Sequence, residues 1–194
     1  MIDSRTNPEI RRELRALHER STVFWEAFST ADFLAPIGEA WSPADNVRHL
    51  IKSIRPLARG LRMPRLLILL RFGPALRGSR GYAEIREVYQ GALARGVDAG
   101  RFAPSPEGPP ADPEAWRGEL MGRWREIANS LDGAIASWSE GALDRCRMPH
   151  PLLGKLTVRE MLLFTLYHNL HHVQNVARRK GITFAESLTA EAAL

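Results

Sequence analysis

Cysteine is almost absent from this chain of 194 residues. Cys146 stands alone, so no intrachain disulfide can form and no cysteine-rich metal site exists. That fits a reducing compartment such as the cytoplasm. Long hydrophobic runs are missing too. The longest, residues 66–70, falls far below the ~20 residues needed to cross a bilayer. The opening stretch MIDSRTNPEIRRELR carries no apolar signal-peptide core. The expectation is a soluble, cytoplasmic protein with no membrane partner. Several catalytic signatures are also lacking: no GxSxG turn, no HExxH, no GxGxxG and no P-loop. A serine hydrolase, a zincin protease and the common nucleotide-binding folds therefore have no positive signal.

Acidic residues are scarce in one region. The whole chain has a formal charge of +5 and a pI near 10.0. Residues 48–101 hold eleven arginines and one lysine against Glu84, Glu87 and Asp98. Such a run can attract nucleic acid, anionic lipid or acidic ligands. No glycine–aromatic signature or zinc-finger spacing accompanies it, so a solvated arginine-rich surface is preferred over nucleic-acid binding.

The remaining pattern is helical, without the period-two alternation of strands. One domain spanning 1–194 is expected, with 182–194 as a C-terminal extension. Thr6-Asn7-Pro8-Glu9 starts a first helix, and Ile10, Leu14, Leu17, Ser21, Phe24 and Phe28 form its seam toward an end near Thr30. Trp41-Ser42-Pro43-Ala44-Asp45 starts a second, with a stripe of Val47, Leu50, Ile51 and Ile54 and a kink or break expected at Pro56. Shorter helices are expected at 64–72, stopped by Gly73-Pro74, and at 82–95. Five prolines make 103–113 a loop. Asp112-Pro113-Glu114 opens a third long helix, predicted to run to Gly141. Thr157 and Glu160 form a capping box for the fourth, which closes at Arg178-Arg179-Lys180-Gly181. Four long helices predict an all-α four-helix bundle.

His168 and His172 stand at i and i+4 in the last helix, so their side chains stack on one face. They lie on the shoulder of its apolar stripe, where imidazoles can face a neighbouring helix and a cleft. Two such ligands and a third from elsewhere would make an open three-histidine site. The competing reading is a pair of hydrogen-bonded interhelical histidines. His49 falls off the stripe of its own helix, so periodicity alone supports a pair rather than a triad. His171 lies nearer the polar side. His18, in a charged stretch, is expected in solvent, and His150 before Pro151 is expected to order the turn into the last helix. No general base stands out, and Tyr167, Gln174 and Asn175 are the candidates to support the ligands.

Two stretches carry a family resemblance. Trp41-Ser42-Pro43 through His49-Leu50 is similar to one opening motif. His150-Pro151-Leu152-Leu153-Gly154-Lys155-Leu156-Thr157, continued through His168 and His172, is similar to a second. Together they resemble the DinB-like superfamily, the DNA-damage-inducible protein family. The resemblance implies an antiparallel four-helix bundle with a long crossover carrying short extra helices, often a homodimer. It also implies a divalent metal, zinc or nickel, held by His49, His168 and His172. The activity implied is that of a hydrolase or a thiol-dependent transferase on a small-molecule substrate, with water or a low-molecular-weight thiol activated at the metal. A non-catalytic bundle binding a small ligand or protein partner, with structural histidines, is the alternative. Two features depart from the family pattern. Asn175 stands where the family commonly has glutamine, and the basic insertion between Pro56 and Pro113 is long.

Overall fold

The computed structural model describes residues 5–96, 98–105, 108 and 110–184. Four long helices, α1 (Asn7–Glu26), α3 (Pro43–Gly60), α6 (Pro113–Ile135) and α8 (Val158–Lys180), form the bundle. Between them lie α2 (Thr30–Leu34), α4 (Arg65–Phe72), α5 (Tyr82–Ala94), a short 3-10 turn (Gly100–Phe102) and α7 (Glu140–Arg145). Two strands precede α8: β1 (Arg147–His150) and β2 (Gly154–Thr157). Of the C-terminal extension only 182–184 fall within the described residues, and of the 103–113 loop Pro106, Glu107 and Pro109 fall outside them.

Helix starts follow the side chains that satisfy free backbone N–H groups. Thr6, Ser42, Asp112 and Thr157 each accept a bond from the backbone two or three residues inside their helix. The long helices pair by contacts along their lengths. Helix α1 runs antiparallel to α6: Arg11 meets Asp132 at one end, and Arg117 meets the Glu26 carbonyl at the other. Helix α3 runs antiparallel to α8, with Asn46 opposite His172 and His49 opposite His168. The two antiparallel pairs lie side by side, α3 along α6 and α1 along α8. In each of these contacts like ends meet: Arg62 with the Ser130 carbonyl, and Arg159 with the Arg5 carbonyl. A chain leaving the end of α3 must travel back along the bundle before it can start α6. Residues 61–112 are that crossover, and α5 within it packs on the outer face of α8.

The core contains Ile10, Leu14 and Leu17 of α1, Val47, Leu50 and Ile54 of α3, Leu120, Trp124 and Leu131 of α6, and Leu162, Leu166 and Val173 of α8. A second cluster joins Ile85 and Tyr89 of α5 to Leu156, Phe164 and Tyr167. Helix α8 is therefore covered on nearly all sides over its first half. Every polar group it carries there must find a partner or pay a desolvation cost.

Four expectations need correction. Pro56 does not break its helix, which continues to Gly60; Leu57 and Ala58 are buried, so core packing outweighs one missing hydrogen bond. The third long helix ends at Ile135 rather than Gly141, because the Asn7 amide takes the Trp138 carbonyl at 2.5 Å and holds the chain out of helix. Residues 147–157 form a β-hairpin, with Met148 opposite Leu156 and the turn closed by Gly154 at φ +73°. Its strands are too short to show alternation. His18 is not solvated: its ring lies 4.4 Å from that of Trp124, and burial lowers its pKa to about 4.

Candidate metal centre

Packing α3 antiparallel on α8 brings three imidazoles together. The i,i+4 pair comes from α8, and His49 reaches them from α3, buried in spite of its place off the apolar stripe. His49 Nε2 lies 3.1 Å from His168 Nε2, and His172 Nε2 lies 3.2 Å from the same atom. The three ligand nitrogens all fall within 4.8 Å of one another. A tetrahedral zinc site with Zn–N bonds of 2.0–2.1 Å places its nitrogens about 3.3 Å apart.

Hydrogen bonds on the far side of two rings decide which nitrogens are bare. His49 Nδ1 faces the Phe102 carbonyl at 2.9 Å, which can only accept, so Nδ1 carries the proton and Nε2 presents a lone pair. His172 Nδ1 faces Asn46 Oδ1 at 2.7 Å. The Asn46 amide is oriented by its own Nδ2, which donates to the Ser42 carbonyl at 2.9 Å, so the same assignment holds for His172. Two lone pairs thus point at a third nitrogen. One proton on His168 Nε2 satisfies only one of the two contacts, whereas a cation satisfies all three.

Electrostatics agree. Burial drives the pKa of His168 and of His172 well below the ordinary histidine range, with repulsion from neighbouring imidazoles adding to it. His49 is lowered as well, because burial outweighs the hydrogen bond it gives to Phe102. The cluster is neutral near pH 7, the state in which imidazole binds metal.

The three rings form one wall of a cavity of about 280 Å³. Leu57, Tyr89, Leu93, Phe102, Leu152, Met161 and Phe164 supply its apolar surface. Phe164 stacks on His168 at 5.1 Å. His150 enters from β1, its ring 4.3 Å from Phe164. Its Nδ1 accepts from the backbone N–H of Leu152 and of Leu153, so it orders the turn as expected. The same bonds put its proton on Nε2, and burial lowers its pKa to about 4. His171 also borders the cavity. Asn175 donates to its Nε2 at 2.8 Å, while Arg178 holds the Asn175 carbonyl oxygen. Asp98, Arg101, Ser53 and Thr165 add further polar lining.

Sequence reasoning missed the groups that orient the histidine rings. They are Asn46 and a backbone carbonyl at Phe102, while Tyr167 bonds Gln90 and Asn175 bonds His171. Asn46 stands one turn before His49 on the same face, a spacing that was available to read. A carbonyl contributed from a distant turn leaves no side-chain signal.

Comparison with known proteins bears on this arrangement. A search of curated protein sequences finds no match. Among solved structures, YfiT from Bacillus subtilis is similar, with a TM-score of 0.60 at 16% identity over 91% of this chain and 89% of that one. That protein is described as "a probable metal-dependent hydrolase with an unusual four-helix bundle topology". At such low identity the likeness establishes the fold. The family model of the DinB superfamily matches residues 13–176, a span that contains both halves of the histidine cluster. With the bundle, its crossover and that match in agreement, the chain belongs to the DinB superfamily.

Proposed function

We propose that the protein is a metal-dependent enzyme acting on a small molecule, with His49, His168 and His172 holding a divalent cation, zinc or nickel. The observation that carries this reading is the pair of fixed lone pairs, on His49 and His172, converging on His168 in a cavity wall. The family membership and the description of YfiT support it. Such a cation, when bound, lowers the pKa of a coordinated water or thiol so that its anion is available near neutral pH. Hydrolysis and transfer involving a low-molecular-weight thiol are the two reactions this supports.

The chain's own groups supply the rest. Asn46 and the Phe102 carbonyl hold the ligand rings in one tautomer and one orientation. Phe164, Met161 and Leu152 keep water from the inner cavity and seat an apolar part of the substrate. His150 offers a fixed Nε2–H donor for a carbonyl or carboxylate oxygen. His171, held through Nε2 by Asn175, is a group of suitable chemistry to move a proton at its Nδ1.

Metal content of untagged protein is the test. The expected result is about one equivalent of zinc or nickel per chain, absent from His168→Ala. Protein that carries no metal and takes none up would overturn the reading. Ester and amide substrates assayed with and without an added thiol then separate hydrolase from transferase.

A further inference from the structure

Exposed apolar side chains are concentrated in one short segment. Leu66, Leu67 and Leu70 of α4 are 66%, 50% and 74% exposed, and Leu76 just beyond it is 91% exposed. Met63, before the helix, is partly exposed as well. At about 100° per residue, the three helical leucines cover an arc of about 100°. Ile68, fully buried, points the opposite way and ties the helix to the core. The apolar arc therefore faces outward by construction, because the same helix has already spent its other face on packing.

Cations border the arc. On the same wheel Arg71 borders it at one edge, while Arg65 lies on the Ile68 side, over the Trp138 ring; Arg62 precedes the helix, and Arg147 and Lys155 reach the end of α4 from the hairpin. Arg62, Arg65, Arg147 and Lys155 donate to backbone carbonyls, and Arg71 lies over the Phe72 ring. None of the five is ion-paired among the described residues, so each positive charge is uncompensated. The sequence contains no Asp or Glu from 46 to 83.

We propose that the α4 face binds an anionic lipid surface, lying on it rather than crossing it. Eight residues are far too few to span a bilayer, and no helix among the described residues is long and apolar enough to do so. A short helix with leucines on one arc, Arg71 at its edge and further cations before and after it matches an interfacial anchor: the leucines enter the acyl boundary and the cationic groups meet phosphate. Charge argues against a second copy as the occupant. Two such faces in contact would set Arg62 and Arg71 against the same residues, with no carboxylate from that segment to separate them.

The test uses the full chain and flotation with vesicles, either phosphatidylcholine alone or equal parts phosphatidylcholine and phosphatidylglycerol. Binding is expected to the anionic vesicles and not to the neutral ones, and it should weaken with added salt. The combined Leu66→Ser, Leu67→Ser, Leu70→Ser variant should bind at least ~10-fold more weakly. Arg62→Gln and Arg71→Gln should each cost roughly fivefold. The arginine variants remove no buried group, so they keep the proposal testable should the leucine variant fold poorly. Absence of binding to anionic vesicles at low salt would overturn it, as would equal binding to both lipids or unchanged binding by the arginine variants. A wild-type dimer that becomes monomeric in the leucine variant would assign the face to a second copy instead.

Discussion

Helix α8 carries two buried polar clusters, about two to three turns apart, and they differ in whether their charges are matched. At its start, Arg159 bonds Asp144 at 2.6 and 2.9 Å, Glu140 at 2.8 Å and the Arg5 carbonyl at 2.6 Å. Glu160, fully buried, receives Arg77 at 2.5 Å, Arg80 at 3.0 Å and two backbone N–H groups. Burial alone would push the Glu160 carboxyl up, but these donors outweigh it together and hold the pKa at about 2. Every charge there has its opposite. Farther along, the histidine cluster has three inward nitrogens and no positive charge to receive them. Both clusters fix a neighbouring element to α8: the first fastens the crossover and α7, the second fastens α3. A closed polar network explains itself as structure, whereas an open one with lone pairs aimed at a single point is the observation behind the proposed metal site.

The comparison can be broken or sharpened by experiment. The largest effect is expected from His168→Ala, which should abolish measurable metal uptake and the rise in melting temperature on adding zinc. Retention of both would mean that the histidine cluster is as structural as the Glu160 cluster. Glu160→Gln leaves two arginines without their anion. It should lower unfolding free energy by about 3 kcal/mol, moderated by the exposure of Arg77, with metal affinity little changed. Denaturant melts and zinc titration of the same preparation would check that division. Asn46→Ala keeps all three histidines but frees the His172 ring, and a 10- to 100-fold loss of metal affinity is expected. If affinity is unchanged, the tautomer argument fails.

Acid should separate the two kinds of group along the pH axis. His18 and His150 titrate at about 4 in the folded chain against 6.5 when unfolded. Between those values the unfolded state binds more protons, so stability is whole above pH 6.5 and falls as pH drops toward 4. Glu160, at about 2 against 4.5, adds a second loss below pH 4.5. Urea midpoints measured through both intervals should fall in two stages. The smallest expected effect is that of His18→Gln, which should flatten part of the first stage and leave the second unaltered.

Much of this was legible beforehand because it is local. The caps at Thr6, Ser42 and Thr157 act within one turn, and the pairing of His168 with His172 follows from helical pitch alone. The elements that depart from the local sequence pattern answer to distant partners. Ile135 ends its helix because Asn7 claims carbonyls there, and Pro56 stays helical because Leu57 and Ala58 are buried against other elements. His18 looked polar within its charged stretch and is shielded by Trp124 from a different helix.

The amino-acid sequence by itself determined the four long helices, where most of them begin, and two imidazoles on one face, since these depend on backbone groups and side chains within a turn of each other. Only the tertiary structure decided that α3 lies antiparallel on α8. That contact turns His49 from an off-stripe residue into a neighbour of His168, and it brings the Phe102 carbonyl and Asn46 to the outer edges of the rings. The physical reason is that convergence of side chains from separate helices is set by which faces pack together, a choice made by the whole core rather than by any one segment.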